Sequence, residues 1–313
     1  MNSVVVPSGN LQQESRRKIS FEDLVTTFLE RKDLKESSEE SYLSSFKIFK
    51  IYLETRSISH PTEQDIKEFK DYIMGRYLSV FTVISHLSAV KSLFSFVGAR
   101  DIYPDVAKDI KVPKKPKGFM RDALTKEQAQ ELLKSAAGDD VTSKRDFAVL
   151  NILLRCGLRS VELCNADVGD VRYQNGTPVL WVQGKGRDCK DEFVVLTKES
   201  LSAIEEYLVL RKGVKPSEPL FLSHGNRNNK TGRLATRSVR RIVKGYLSKI
   251  GINNSRITCH SLRHTFATLA LENNAPLLSV QKAMRHSNIN TTLIYTHMKD
   301  RLTNGAENYI KLD

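Results

Sequence analysis

Apolar side chains recur at helical spacing through the first third of the chain. Positions three and four residues apart lie on one face of an α-helix, so this recurrence marks helices with one buried side. The aromatic residues among them are interpreted as core residues rather than as stacking platforms. The runs are Phe21, Leu24, Val25 and Phe28; Tyr42, Phe46, Phe49 and Leu53; Ile66, Phe69 and Ile73; Val83, Leu87, Val90 and Phe94. They predict a four-helix domain over residues 19–107.

Hydroxyl and carboxylate residues three positions apart mark three of the helix starts. In a capping box the hydroxyl accepts a hydrogen bond from a first-turn N–H, and the carboxylate accepts one from the cap residue. The pairs are Ser20 with Asp23, Ser37 with Glu40, and Thr62 with Asp65. Residues 1–18 are polar without a sustained period, which predicts a flexible tail.

The helical pattern lapses over residues 108–123, which separate two predicted domains. Pro113 and Pro116 forbid a regular helix there. This stretch contains six Lys or Arg residues and two Asp residues, so it is interpreted as a basic linker. It is either a solvated connector or a segment that crosses a phosphate backbone, and the sequence leaves both interpretations open.

Residues 124–298 are predicted to form a second, mostly helical domain. Two extended runs, 178–183 and 192–196, are joined by the Gly-rich, charged segment GKGRDCKD and predict a β-hairpin. Helical patterns are seen around 124–136, 145–157, 198–211, 236–250, 261–273 and 276–285. The predicted fold class is mainly α with a small antiparallel β-sheet.

The charge balance indicates a polyanionic partner. The 313 residues carry 49 Lys and Arg against 36 Asp and Glu, a formal net charge of +13, which favours nucleic acid over an anionic membrane. No apolar run approaches the roughly 20 residues that span a bilayer, and the N-terminus lacks a signal-peptide core. These features predict a cytoplasmic protein without a membrane partner.

Four cysteines stand without a CxxC pair and are interpreted as reduced thiols. Cys259 lies beside His260 and near His264, and two histidines at i and i+4 share a helix face. A metal site is not favoured there, since no third ligand stands at a recognisable spacing. Neither a metal nor a cofactor is predicted.

Four short motifs follow one another along the second domain. They are GLRSVEL at 157–163, GKG at 184–186, HSLRHTFAT at 260–268 and RHSNINTTLIYTH at 285–297. Together they resemble the tyrosine recombinases or integrases, a family that shares its catalytic fold with type IB topoisomerases. One such motif alone would be weak, whereas four in this order are a specific signal.

The resemblance implies a cationic phosphate site. Arg159 and Arg263 would clamp the non-bridging oxygens of the scissile phosphate, and His286 would add a hydrogen bond to the same group. A guanidinium suits this role because its planar fork donates two parallel hydrogen bonds and stays charged at any working pH.

The resemblance also implies the groups that move protons and attack. Tyr295 would be the nucleophile, His260 its proton acceptor, and Lys185 the general acid that protonates the leaving 5′ oxygen. Arg187 and Lys190 share the loop of Lys185 and are the alternatives for that role. A free tyrosine has a pKa near 10, so nearby cations must favour its phenolate.

Spacing within the motifs supports part of this site. His260 and Arg263 lie at i and i+3, so the start of one helix presents both to one point. Arg159 and Glu162 have the same spacing, and Glu162 is interpreted as a structural ion-pair partner outside the site. Met284 and Arg285 stand where the family often has Leu and Gly, a departure in the turn before His286.

The resemblance further implies a site-specific recombinase that cleaves and rejoins DNA through a 3′-phosphotyrosyl intermediate and a Holliday junction. Residues 19–107 would be the helical core-binding, SAM-like domain and 124–298 the catalytic domain. Four protomers would assemble on two double-stranded core sites. The sequence of residues 299–313 predicts a short tail helix with an apolar face formed by Leu302, Ala306, Tyr309 and Ile310. This face could pack on its own domain, but the resemblance favours docking on a neighbouring protomer.

The predicted biological role is integration or excision of a mobile element. A Xer-type chromosome-dimer resolvase and a DNA invertase are alternatives within the family, and host or element accessory factors are left open. A type IB topoisomerase and a non-catalytic DNA-binding regulator are the alternatives outside it. The complete set of six site residues disfavours the regulator.

Overall fold

The structure is a computed structural model with two compact units, Met1–Lys117 and Gly118–Asp313. Each unit has its own apolar core. The boundary falls within the segment assigned to the basic linker, and Ile110 still packs in the first core. The structure describes residues 19–77, 79–115, 122–184, 187–224, 232–286 and 288–293. The predicted tails at 1–18 and 299–313 lie outside the described residues.

The first unit contains the four predicted helices. They are α1 (Phe21–Arg31), α2 (Glu36–Thr55), α3 (Glu63–Arg76) and α4 (Val80–Gly98). Helix α4 lies in the middle and contacts the other three. Aromatic rings fill the core edge to face, with Phe49 packed against Phe69 at 4.7 Å between ring centroids. The interpretation of the aromatic runs as core is confirmed.

Helix α4, with 19 residues, is long and apolar enough to cross a membrane by length and composition, and an 18-residue window of it has a mean hydropathy of 1.6. The expectation that no apolar run approaches that length was therefore wrong. Eight of its residues, among them Leu87 and Phe94, are buried within the unit. Its apolar character is accounted for by its central position in the core.

Two of the three predicted helix starts are present. Ser20 and Thr62 each accept a hydrogen bond from the N–H of the Asp three residues on, which closes the capping box. The prediction at Ser37 was wrong, because α2 begins at Glu36 with Lys35 as its cap residue. Acidic residues in the first turn of α2 favour this start through the helix dipole.

In the described part of the second unit, six helices and a small sheet surround a buried central helix. Its helices are α5 (Lys126–Ser135), α6 (Val141–Arg155), α7 (Ser160–Asn165), α8 (Lys198–Arg211), α9 (Thr236–Lys249), α10 (Cys259–Glu272) and α11 (Leu277–Ala283). Helix α6 buries nine residues and contacts α5, α8, α9 and α10. The mainly α fold class is confirmed.

The sheet has three antiparallel strands in sequence order, β1 (Val171–Gln174), β2 (Thr177–Val182) and β3 (Glu192–Val195). Strands β2 and β3 are the predicted hairpin, and β1 was not predicted. The last three residues of β1 are all exposed, so it lacks an alternating apolar face. The turn Asn175–Gly176 has positive φ at both residues, and this Asn-Gly pair was the signal that predicts such a hairpin.

Candidate active site

The first arginine motif forms the turn between α6 and α7. Gly157 has a φ of 59° there, a conformation that glycine adopts freely and residues with a Cβ adopt only with strain. Its carbonyl oxygen accepts a hydrogen bond from Nη1 of Arg263 at 2.5 Å. Arg159 follows as the cap residue of α7, and its side chain is 28% exposed.

Replacing Gly157 by alanine is expected to lower the free energy of unfolding of the second unit by about 2–4 kcal/mol. A Cβ at this position would stand 2.5 Å from Cδ1 of Phe266, and the alanine would also have to adopt the positive φ. Gly176→Ala is the matched control, because its φ is +76° with nothing within 4 Å of a new Cβ. Urea unfolding measures both losses. Equal losses would contradict the steric part of the argument.

Arg263 lies in the second turn of α10 with its guanidinium buried, 2% exposed. Nη1 donates to the carbonyl of Gly157, and Nη2 donates to the carbonyl of Met284. The start of α10 is closed by a capping box between Thr258 and Ser261. Arg263 therefore ties the helix to two loops, the one before Arg159 and the one before His286.

Glu162 lies at the centre of the arginines. Its carboxylate is 3% exposed and accepts hydrogen bonds from the backbone N–H and Nη1 of Arg159, both at 2.7 Å. Nη2 of Arg285 donates to it at 2.5 Å, and Nη1 of Arg263 lies 4.0 Å away. Burial alone would raise the pKa of Glu162, but the Arg285 charge and these hydrogen bonds hold it below its ordinary value.

The predicted ion pair between Arg159 and Glu162 is thus present, and Glu162 also supports the backbone at Arg159. The sequence interpretation missed Arg285, which shares the same carboxylate. Arg285 has a φ of 51°, a conformation that glycine adopts without strain. The departure from the family pattern at this position was the signal that could have found it.

His286 packs beside the arginines and is kept neutral. Its Nδ1 lies 2.9 Å from the hydroxyl of the buried Thr292. Burial lowers the pKa of His286 to about 4, together with the charges of Arg263, Arg159 and Arg285. The charge of His260 makes a smaller contribution to this lowering of the His286 pKa. The two histidines therefore lie in one electrostatic environment.

The second unit is expected to lose stability as the pH falls from about 6.5 towards 4. In this window the unfolded His286 binds a proton and the folded one does not, so the free energy of unfolding rises with pH. We expect a loss of about 1–3 kcal/mol in the free energy of unfolding. This is less than the pKa shift of His286 would give in full, because the ring is partly exposed. NMR titration of the histidine Cε1–H resonances checks the midpoint, with His286→Asn to assign the signal.

The exposed His60, in the first unit, supplies the control. Because His60 lies outside the second unit, unfolding of that unit should depend on pH in His60→Asn as it does in the wild-type protein, whereas His286→Asn should flatten the dependence. An identical dependence in the wild-type protein and His286→Asn would contradict the assignment.

His260 occupies the first turn of α10 and is exposed. Its ring lies edge to face against the ring of His264, with centroids 4.6 Å apart. His260 and Arg263 therefore share one helix start, as their spacing indicated. His260 is exposed, whereas His264 is half-buried.

Two of the six predicted residues, Lys185 and Tyr295, lie outside the described residues. The hairpin that carries Lys185 is anchored at its base by Lys190, whose Nζ binds Asp170 and lies 2.7 Å from Asp167. Asp167 also binds Arg233. Lys190 is thus held by two carboxylates, which disfavours it as an alternative to Lys185.

The comparison with known proteins agrees with this geometry. Residues 122–301 match the phage integrase family over more than half of the chain. The chain belongs to the phage integrase family. It is a site-specific recombinase of the tyrosine type, and the predicted family is confirmed.

Curated relatives of this recombinase are tyrosine recombinases. Tyrosine recombinase XerC of Natranaerobius thermophilus is 35% identical over 79% of this chain and 82% of its own. Tyrosine recombinase XerA of Pyrococcus horikoshii is 33% identical over 75% of this chain and 76% of its own.

Solved structures show the same fold as this recombinase. The XerH recombinase bound to palindromic difH, a post-cleavage complex, has a TM-score of 0.72 at 24% identity, covering 91% of this chain and 84% of its own. The Tn1549 transposon integrase with circular intermediate DNA has a TM-score of 0.69 at 20% identity, covering 91% and 100%.

The arrangement is suited to binding a phosphate. Three guanidinium groups share one carboxylate, which leaves an excess of positive charge in a largely buried site. Charged donors that are fixed before the reaction stabilise developing negative charge without reorganisation. The site of this recombinase therefore favours a phosphate oxyanion.

Proposed function

We propose that this recombinase cleaves DNA with Tyr295, holds the 3′ phosphate as a tyrosyl ester, and rejoins it to another strand through a Holliday junction. The observation that carries the proposal is the arginine cluster around Glu162 beside a neutral His286. Such a cluster neutralises the charge of a pentavalent phosphorane. The tyrosyl ester conserves the energy of the broken phosphodiester, so rejoining needs no ATP.

In this proposal Arg159 and Arg263 bind the non-bridging oxygens. Arg159 is partly exposed and can receive the phosphate directly, whereas the buried Arg263 donates to two carbonyls. A phosphate oxygen would add to or replace one of these carbonyl acceptors. In the tautomer whose Nδ1 accepts a hydrogen bond from the Thr292 hydroxyl, neutral His286 carries its proton on Nε2 and can donate it to the same oxygens.

Proton transfer is assigned to the remaining two residues. His260, exposed at the start of α10, would accept the proton of Tyr295. Lys185, which lies outside the described residues, would protonate the leaving 5′ oxygen.

The DNA partner is supported by charge as well as by family. Helix α9 is strongly amphipathic, with Val239, Val243, Tyr246 and Leu247 buried on one side. Its exposed residues include Arg237, Arg240, Arg241, Lys244 and Lys249. We propose that this face contacts phosphates, which makes affinity fall steeply with salt.

The proposed assembly is a tetramer on two duplexes in the cytoplasm. Residues 19–107 would form the core-binding domain and residues 124–298 the catalytic domain, joined by the basic linker at 108–123. Residues 299–313 would dock on the neighbouring protomer.

For the biological role we propose integration or excision of a mobile element. The similarity to XerC and XerA recombinases favours a second candidate, resolution of chromosome dimers. A DNA invertase and the involvement of accessory factors stay open within this proposal.

The proposal is tested on a duplex selected by the protein itself from a random-sequence pool and nicked beside each candidate scissile position. Incubation with excess EDTA followed by a denaturing gel should show a covalent protein–DNA adduct. Mass spectrometry of the digested adduct should place the DNA on Tyr295. Retained binding without an adduct at any nick position would overturn the proposal in favour of a regulator.

A further inference from the structure

Arg285 is a buried cation that the six-residue site does not include. Its side chain is 4% exposed. Nη2 donates to Glu162 at 2.5 Å and Nε donates to the other oxygen of that carboxylate at 3.4 Å. Nη1 donates to the carbonyl of Ala283 at 2.7 Å. The guanidinium is therefore fixed at both ends, by a carboxylate and by its own loop.

The backbone of the same residue reaches a proposed phosphate ligand. The carbonyl of Arg285 accepts a hydrogen bond from Nη2 of Arg159 at 3.3 Å. The preceding carbonyl, of Met284, accepts from Arg263. A φ of 51° at Arg285 turns the chain between these two carbonyls. An arginine pays a conformational cost at this φ that glycine does not, so its side-chain contacts must offset that cost.

We propose that Arg285 is a positioning residue for DNA cleavage, which holds Glu162 so that Glu162 and the Arg285 carbonyl together fix the guanidinium of Arg159 towards the phosphate. This inference rests on the proposed function. Nε and Nη2 of Arg285 donate to Glu162 and Nη1 donates to the carbonyl of Ala283, so Arg285 is assigned no contact with the phosphate. Its effect passes through the carboxylate that it shares with Arg159.

The electrostatic role follows from the burial of Glu162. A carboxylate in this environment stays ionised only if cations offset its desolvation. Arg159, Arg263 and Arg285 face it, Glu192 lies 3.9 Å from Nε of Arg285, and His286 follows Arg285 in the chain. Without Arg285, Glu162 would take up a proton at a higher pH and release its hydrogen bond from Nη1 of Arg159.

The test compares Arg285→Gly, Arg285→Lys, Glu162→Gln and the double variant Glu162→Gln with Arg285→Gly. Glycine retains the backbone conformation and both loop carbonyls, so it removes the side chain alone. Lys212→Gly is the matched control, since Lys212 is another basic residue at positive φ, 47°, after α8. Adduct formation on the selected nicked duplex and the affinity for that duplex are measured from pH 5 to pH 8.

In Arg285→Gly the cleavage rate at pH 7.5 is expected to fall about 10–100-fold, with affinity changed by less than about threefold. The acid limb of the rate profile is expected to move to higher pH, because loss of the Arg285 charge raises the pKa of Glu162. Arg285→Lys should retain part of the rate. In the Glu162→Gln background, Arg285→Gly should add neither a rate loss nor a shift, and Lys212→Gly should match the wild-type protein.

Three results would count against these claims in different ways. A wild-type rate and pH profile in Arg285→Gly, with an adduct in the wild-type protein, would overturn this inference alone. A shift that persists in the Glu162→Gln background would also overturn it, because the titrating group would then be His286 or His260. A wild-type protein that binds the duplex without forming an adduct would overturn the proposed function as well.

Discussion

Replacing Tyr295 by phenylalanine is expected to abolish the covalent protein–DNA adduct while leaving the affinity for DNA unchanged. The two side chains differ by the phenol oxygen, which is the atom that would attack the phosphorus. Removing a nucleophile outright costs on the order of 10⁴-fold or more in rate. Denaturing gels with the nicked duplex measure the adduct, and gel shifts under native conditions measure the affinity.

Tyr173→Phe is the matched control for this experiment. Tyr173 lies in β1 with its side chain exposed and apart from the arginine cluster, so this variant should form the adduct at the wild-type rate. An adduct that persists in Tyr295→Phe would mean that another residue is the nucleophile. Loss of the adduct in both variants would mean that the substitutions act through folding.

Replacing Arg263 by lysine is expected to lower the cleavage rate about 10²–10³-fold, the usual loss for one prearranged donor to an oxyanion. Lysine keeps the charge but cannot donate along two fixed directions, as the guanidinium does to the carbonyls of Gly157 and Met284. Because those carbonyls are buried, we also expect a loss of about 2–4 kcal/mol in the free energy of unfolding. Single-turnover cleavage and urea unfolding measure the two effects.

Arg211→Lys separates the two effects. Arg211 is similarly buried, 4% exposed, and its Nη1 donates to the carbonyls of Pro219 and Leu220, away from the site. Arg211→Lys should lose comparable stability and still cleave DNA at the wild-type rate below its unfolding temperature. If both variants lost cleavage equally, Arg263 would have only a structural role.

Much of the fold followed from local patterns. The four helices of the first unit, the β2–β3 hairpin and six of the described helices of the second unit were predicted because period and capping are local properties of the chain. The short helix α7 was not predicted, since six residues are too few to show a helical period. The start of α2 was missed, since a hydroxyl and a carboxylate three residues apart also occur inside a helix. Strand β1 was missed because its exposed residues do not alternate.

The sequence by itself identified the family, through four motifs in a specific order. The resemblance to that family implied Arg159, Arg263 and His286 as phosphate ligands, and these roles stay predictions. Spacing also predicted that His260 and Arg263 share one helix start, which the structure contains in α10.

Only the tertiary structure decided how those cations are held. Glu162 and Arg285 are 123 residues apart, and their contact depends on the loop before His286 packing against the turn before Arg159. The burial that lowers the pKa of His286 likewise comes from elements distant in sequence. Local periodicity reports which face of an element is buried, whereas the desolvation and charge at a site are sums over every element that packs around it.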